Sequence, residues 1–207
     1  FLWTLTPEQL EHSLFPIGDY LKSEVRELAS KAGLATAQKK DSQGLCFVGK
    51  VRFQEFLRGV LPEEEGKILN QRGEVLGRHN GAHFYTVGLR HGLKIGGLER
   101  PVYVAERNVN LNTIVVADGG NAALYRDEVE VGEVNLISEN LPENLEVRIR
   151  YRQPKQEARI VKLKTQNSMF HASGFKLHFK VPQRGVASGQ SAVFYDGEEM
   201  LGGGVIA

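Results

Sequence analysis

The sequence has a single cysteine in 207 residues, so no disulfide can close within it and no cysteine-rich metal site can be built from it. It has no low-complexity segment, no internal repeat and no apolar run near the length of a membrane span. It also lacks an excess of either charge. Lys+Arg 26 against Asp+Glu 25 leaves a net +1, an average that points to no polyanion partner and can hide local asymmetry. A lone thiol fits a reducing compartment, and a cytoplasmic location without membrane contact is expected. The opening Phe1-Leu2-Trp3-Thr4 shows no initiator methionine, basic n-region or cleavage-type small residues, so the sequence is expected to start inside a longer protein. What is present is an ordinary globular composition, 41% hydrophobic and 25% charged.

The order of elements divides the chain. Thr6-Pro7-Glu8-Gln9 is a helix start, with a capping threonine and proline at the first helical position. Val25, Leu28, Ala29 and Ala32 recur at helical spacing, and Gly33 sits where a C-terminal glycine belongs. Phe53, Phe56, Leu57 and Val60 predict a third short helix ended by Leu61-Pro62. From Gly66 onward, short β-branched and aromatic runs alternate with glycine turns, at 67–69, 74–76, 83–87, 102–104 and 113–117. Beyond the loop Asp118-Gly119-Gly120-Asn121, further strands are expected at 128–134, 145–151, 158–163, 175–179, 191–195 and 203–206, with a hairpin turn at Asp196-Gly197. The expected fold class is α+β: a helical segment over 1–61, a β-rich central domain over 62–126, and an antiparallel β-barrel over 127–207.

Four places could carry chemistry. Cys46 lies between Gly44 and Gly49, with Lys39, Lys40 and Lys50 biasing the local field toward the thiolate. On these residues alone, a buried structural cysteine between Leu45 and Phe47 accounts for it equally well. His79 and His83 have a spacing that ligates metal on a helix, but the intervening Asn80-Gly81 predicts a turn, so no metal site is expected. The glycine-rich stretch 88–97 lacks both common phosphate-loop spacings and is expected to be structural, with RNA backbone contact left open by its basic side chains. The strongest electrostatic feature is the run 148–164, where Arg148, Arg150, Arg152, Lys155, Arg159, Lys162 and Lys164 stand against Glu157 alone. In an extended strand, Arg148, Arg150 and Arg152 would share one face, which suits phosphate contact as well as it suits a solvated strand face.

Lys40-Asp41-Ser42-Gln43-Gly44-Leu45-Cys46-Phe47-Val48-Gly49 resembles the K-D-S-x-G-I-C-F-I-G signature of the tRNA-specific 2-thiouridylase family. Further matches follow in the family's order: Phe15-Pro16-Ile17-Gly18, Arg52-Phe53 with Phe56-Leu57, Gly88-x-Arg90-x-Gly92-Leu93-x-Ile95-Gly96-Gly97, Arg150-Tyr151-Arg152-Gln153, Gly189-Gln190-Ser191-Ala192-Val193-Phe194-Tyr195, and Leu201-Gly202-Gly203-Gly204-Val205-Ile206. The resemblance runs from end to end.

This resemblance implies an ATP-dependent sulfurtransferase. ATP, with Mg2+, adenylates the C2 oxygen of a wobble uridine, and a cysteine persulfide then delivers sulfur to form 2-thiouridine. By its place in the motif, Cys46 is the implied persulfide carrier. Arg150, Tyr151 and Gln190 are the implied tRNA contacts, and a sulfur-donor or relay protein is the second implied partner. Ideal alternation would put Arg150 and Tyr151 on opposite faces, so a bulge or strand end is expected there. The family's S-G-G-x-D-S pyrophosphate motif, and the second cysteine that forms a transient disulfide with the first, are not among the 207 residues. The chain alone is therefore expected to be inactive, as the C-terminal portion of such an enzyme. Leu89 and Lys94 depart from the usual glutamine and glycine of the 88–97 motif. The competing expectations are an RNA-binding module without catalysis and a cysteine hydrolase.

Overall fold

A computed structural model of the chain describes residues 1–40, 53–93, 95–98, 100–163 and 174–207. Those residues form two units, Glu8–Leu61 and a larger one made of Phe1–Pro7 with Pro62–Ala207.

In the first unit, helix α1 (Pro7–Glu11) begins on its proline, at the unit's boundary. Helix α2 (Lys22–Lys31) starts where Glu24 Oε2 accepts the Leu21 N–H at 2.6 Å. It stops at Gly33, whose φ of 69° is open to a residue without Cβ. The Leu34 N–H then reaches Ala29 O at 2.9 Å, and the Gly33 N–H reaches Ser30 O at 3.0 Å. This pair of bonds satisfies two carbonyls that the helix end leaves over. Helix α3 (Phe53–Val60) closes with the Leu61 N–H on Leu57 O at 2.8 Å. Among the described residues of this unit only Ala37 is buried, while Leu14, Phe15, Ile17, Leu28 and Leu34 are exposed.

The larger unit holds two β-structures. Strands β1 (Gly66–Leu69), β2 (Val75–His79), β3 (Val102–Asn108) and β4 (Thr113–Asp118) form a four-stranded sheet ordered β2-β1-β4-β3. Two hairpins are joined through a parallel β1–β4 pair. Ile68, Val104, Ile114 and Val116 of this sheet form a core with Ala82 and Leu93 from the β2–β3 connection. The run 83–87, expected as a strand, is not one. Gly81, at φ 136°, turns the chain into a short 3-10 helix (Ala82–Phe84), fixed when Asn112 Oδ1 accepts the Ala82 N–H at 2.9 Å. That contact, thirty residues distant in sequence, overrides the local β preference of the run.

Strands β5 (Tyr125–Leu136), β6 (Asn144–Arg148), β7 (Gln156–Lys162), β8 (Phe175–Arg184), β9 (Ser191–Asp196) and β10 (Glu199–Ile206) close into an antiparallel barrel ordered β10-β5-β8-β7-β6-β9. Inward positions alternate along each strand: Leu145 and Val147, Ala158 and Ile160, Phe175, Leu177 and Phe179, Ala192 and Phe194. Phe194 is completely buried and meets Phe175 edge-on, with ring centroids 6.3 Å apart. The α+β class with a C-terminal barrel is what the sequence led us to expect.

The first residues pack on this barrel. Trp3 is 6% exposed and lies on Gly203, where a Cβ would stand 2.9 Å from the indole. Asn135 Nδ2 donates to Trp3 O at 2.6 Å and to Leu5 O at 2.9 Å.

Candidate nucleic-acid interface

Strand β6 ends at Arg148, so the expected extended face of Arg148, Arg150 and Arg152 does not form. The chain turns instead. The Gln153 N–H reaches Arg150 O at 3.2 Å, and Arg152 adopts φ 64°. A network of glutamines holds the turn. Gln153 Oε1 accepts the Ile149 N–H at 3.3 Å, and Gln153 Nε2 donates to Oε1 of the buried Gln183 at 2.8 Å. Gln183 Nε2 donates in turn to Val181 O at 2.6 Å. The anticipated strand end is thus what frees Arg150 and Tyr151 from strict alternation.

Arg150, Tyr151 and Gln190, the three implied tRNA contacts, line one cleft of ≈ 730 Å³ at the barrel rim, together with Arg148, Arg152 and Tyr195. Among the described residues no carboxylate lines it. Among the described residues no acid is in ion-pair contact with Arg148, Arg150 or Arg152. Tyr151 is 89% exposed, with the Arg152 guanidinium 5.1 Å from its ring centre. Tyr195 carries Arg148 at 5.3 Å and Lys155 Nζ at 5.2 Å. Lys155 also binds Glu198 Oε1 at 2.7 Å, and this hydrogen bond and charge hold the Glu198 carboxyl below its ordinary range. Two polar atoms of the cleft residues, Arg148 Nε and Gln190 Oε1, are buried without a hydrogen-bond partner among the described residues.

The rest of the basic run is dispersed. Arg159 pairs with Glu143 at 2.8 Å, Lys155 is engaged by Glu198, and Lys164 lies outside the described residues. Cys46 and the residues around it, 41–52, also lie outside them. The glycine-rich stretch offers no phosphate cradle among its described residues. Leu89, Leu93 and Ile95 pack into the sheet core, and the Gly88 N–H is spent on Val104 O at 2.7 Å. His79 is buried at the end of β2, and its Nδ1 accepts the Gly81 N–H at 3.0 Å. Burial lowers its pKa, with the neighbouring His83 adding to the shift. Among the described residues no group of three or more potential ligands is arranged to hold a metal ion, and no helix is long and apolar enough to cross a membrane.

Sequence reasoning missed Tyr195 and Gln183. Tyr195 is outward on β9 opposite Glu146, a position that alternation with buried Phe194 would have exposed. Gln183 sits at an inward-facing position of β8, and no local pattern marks it.

A closed β-barrel whose rim bears a cleft with arginines and tyrosines and without acids defines a protein suited to a polyanionic strand. Three family models divide the chain: one described as tRNA methyl transferase HUP domain over 1–50, one as tRNA methyl transferase PRC-barrel domain over 54–118, and one as Aminomethyltransferase beta-barrel domain over 126–206. Its whole length is 41% identical to the tRNA-specific 2-thiouridylase MnmA of Chlamydia abortus, covering 56% of that protein. It is 44% identical to the proteins of the same name from Pseudomonas fluorescens and Pseudomonas savastanoi, covering 55% of each. The chain belongs to the tRNA-specific 2-thiouridylase family. It spans about half the length of the curated relatives it matches.

Proposed function

We propose that this chain is part of a tRNA sulfurtransferase that replaces the C2 oxygen of a wobble uridine with sulfur, the sulfur arriving as a persulfide on Cys46. The observation that carries the reading is the end-to-end identity of 41–44% to proteins named 2-thiouridylase. The acid-free cleft lends physical support on the tRNA side. A duplex or loop must be held by its phosphates before one base is presented to chemistry, and arginines with no competing carboxylates suit that contact. Extracting the base from its stack costs a few kcal/mol, which contacts in such a cleft help offset.

A persulfide suits the task because its terminal sulfur is a strong nucleophile. It would attack the activated C2, and AMP would leave. The thiol of a second cysteine outside the 207 residues would then break the S–S bond, leaving Cys46 in a disulfide for an external thiol to reduce. Asp41 and Ser42 flank that cysteine and shape its loop in this reading. ATP with Mg2+ would supply the activation of the C2 oxygen, and the match of 1–50 to a HUP-domain model supports a nucleotide-binding context. The described residues hold no cradle for it, so no step is assigned to them. A sulfur-donor or relay protein is the second partner. The division of labour follows 1–61 for sulfur, 62–126 as a central domain, and 127–207 for tRNA. Two of the family-model descriptions name methyl transfer, but the sequence identities spanning the chain favour thiolation.

The test is mass spectrometry of Cys46 after incubation with a cysteine desulfurase and cysteine, paired with 2-thiouridine formation by a family-length protein carrying Cys46→Ser. Expected are one added sulfur on Cys46 and no thiolated product from the variant. An unmodified Cys46 together with undiminished 2-thiouridine would refute the sulfur assignment. Retained salt-dependent tRNA binding in that case would favour a non-catalytic RNA-binding module.

A further inference from the structure

The arginines of the cleft are not equivalent. Arg150 is committed to the protein: its Nη2 donates to Gly185 O. Its guanidinium lies against two glycines, since a Cβ at Gly88 would stand 3.2 Å from Nη2 and one at Gly185 only 2.5 Å. Arg148 and Arg152 are held differently. Each has its guanidinium over a tyrosine ring, Arg148 on Tyr195 and Arg152 on Tyr151, an arrangement that orients the planar fork while leaving its donors for an acceptor. Neither is in ion-pair contact with a carboxylate among the described residues; Glu198 feels the charge of Arg148 but is bound by Lys155, and Arg148 Nε is a buried donor without an acceptor.

We propose that Arg148 and Arg152 make the phosphate contacts of the cleft, and that Arg150 is a positioning residue that pins the 149–153 turn to Gly185. The occupant is the phosphodiester backbone of an RNA strand, with a base on the exposed face of Tyr151. A free inorganic anion needs only donors. The buried acceptor Gln190 Oε1, also unpartnered, asks in addition for a donor, which a ribose 2′-hydroxyl or a base edge supplies. This inference rests on the reading of the cleft as a tRNA-binding surface.

The test measures binding of an unmodified tRNA transcript to the 207-residue chain across a salt series, with thermal unfolding run on each variant. Arg148→Gln and Arg152→Gln should each flatten the slope of log K against log[salt] by roughly 0.7–0.9. Between 50 and 200 mM salt that is about a three-fold change in salt sensitivity per lost contact. Arg150→Gln should weaken binding by the same factor at every salt concentration and leave the slope unchanged. A purely structural residue would lower the unfolding temperature without altering the affinity of the folded protein. If Arg150→Gln does not fold, Arg150→Lys is judged by the same criterion. Arg159→Gln, which removes the same charge from a residue paired with Glu143 outside the cleft, should leave slope and affinity as they are. The assignment is overturned if Arg150→Gln flattens the slope while Arg148→Gln and Arg152→Gln do not, or if Arg159→Gln flattens it as much as they do. Wild-type chain with no salt-dependent tRNA binding would overturn the underlying tRNA-surface reading as well.

Discussion

Gly203→Ala should expel the only tryptophan of the chain from the barrel. The new Cβ would lie 2.9 Å from Trp3 Cγ and Cδ2 and 2.7 Å from Ala192 O. Real Cβ atoms do not approach that closely, and the two contacts relieve differently. Trp3 can leave. Its burial removes roughly 200 Å² from water, about 5 kcal/mol. Ordering the six residues before Pro7 opposes this by roughly 1 kcal/mol each and offsets it. The two Asn135 hydrogen bonds to Trp3 O and Leu5 O, at about 1 kcal/mol each, leave the docked segment held by a narrow margin, and a clash dislodges it. Ala192 O is backbone in β9 and stays, so the strand pair must also strain, at about 1–3 kcal/mol. At ~2–4 °C per kcal/mol for a chain of this size, the unfolding temperature should fall by about 2–12 °C. The assay is Trp3 emission under native conditions, with a soluble quencher, followed by thermal unfolding. Emission should shift to the red and become quenchable well below the unfolding transition. Unchanged emission, with an unfolding temperature within a degree of wild type, would refute the packing argument. Trp3→Ala is the control: it removes the indole without straining β9, and should cost less stability than Gly203→Ala.

Phe194→Ala, at the fully buried centre of the barrel, should cost about 3–5 kcal/mol, read by chemical denaturation; a loss under 1 kcal/mol would mean that the barrel core is not packed around it. Gly185→Ala places a Cβ 2.5 Å from Arg150 Nη2 at a φ of 63°, and should lose about 1–2 kcal/mol together with tRNA affinity. Unchanged affinity would detach the Gly185 bracket from binding. His79 has a pKa lowered by burial, so below the usual imidazole value of 6.5 the unfolded chain takes up a proton that the folded one resists. Stability should therefore be full above pH 6.5 and fall as the pH drops below it. His79→Asn should flatten the unfolding temperature against pH in that window, and an unchanged profile would assign the titration to another group.

What was legible in the sequence was what is local. Gly33 announces its helix end because the two bonds that close it span only a few residues. Asp196-Gly197 announces the β9–β10 hairpin for the same reason, with Gly197 at φ 54°. The run 83–87 misleads because Asn112, far along the chain, captures the Ala82 N–H. The break after Arg148 was expected only as a bulge or strand end that the motif required; what holds the turn was not legible, because Gln183, on another strand, binds Gln153. The docking of Trp3 on Gly203 joins opposite ends of the chain, and no periodicity could have shown it. Of the candidate site, Arg150, Tyr151 and Gln190 entered through motif resemblance, and they line one cleft. The stacking of Arg148 on Tyr195 depends on the β6–β9 pairing and was not to be had from spacing.

The near-zero net charge is better explained by where the acids sit than by how many there are. On the barrel wall Glu143 meets Arg159, Glu157 meets Lys180, Glu128 meets Lys176 and Glu198 meets Lys155, at 2.8, 2.8, 3.0 and 2.7 Å. Such exposed pairs add little to stability, because solvent screens them and ordering two long side chains opposes them. Their consequence is in the field. Each pair removes a positive charge from the wall, which would otherwise attract a polyanion nonspecifically, while the acid-free rim keeps Arg148, Arg150 and Arg152. A Glu157→Gln and Glu143→Gln double variant should therefore bind a tRNA transcript more tightly overall and discriminate less between the cleft and the wall. That would appear as a weaker penalty for Arg148→Gln in the double variant than in the wild-type chain. An undiminished penalty would mean that the wall pairs do nothing to direct RNA to the cleft.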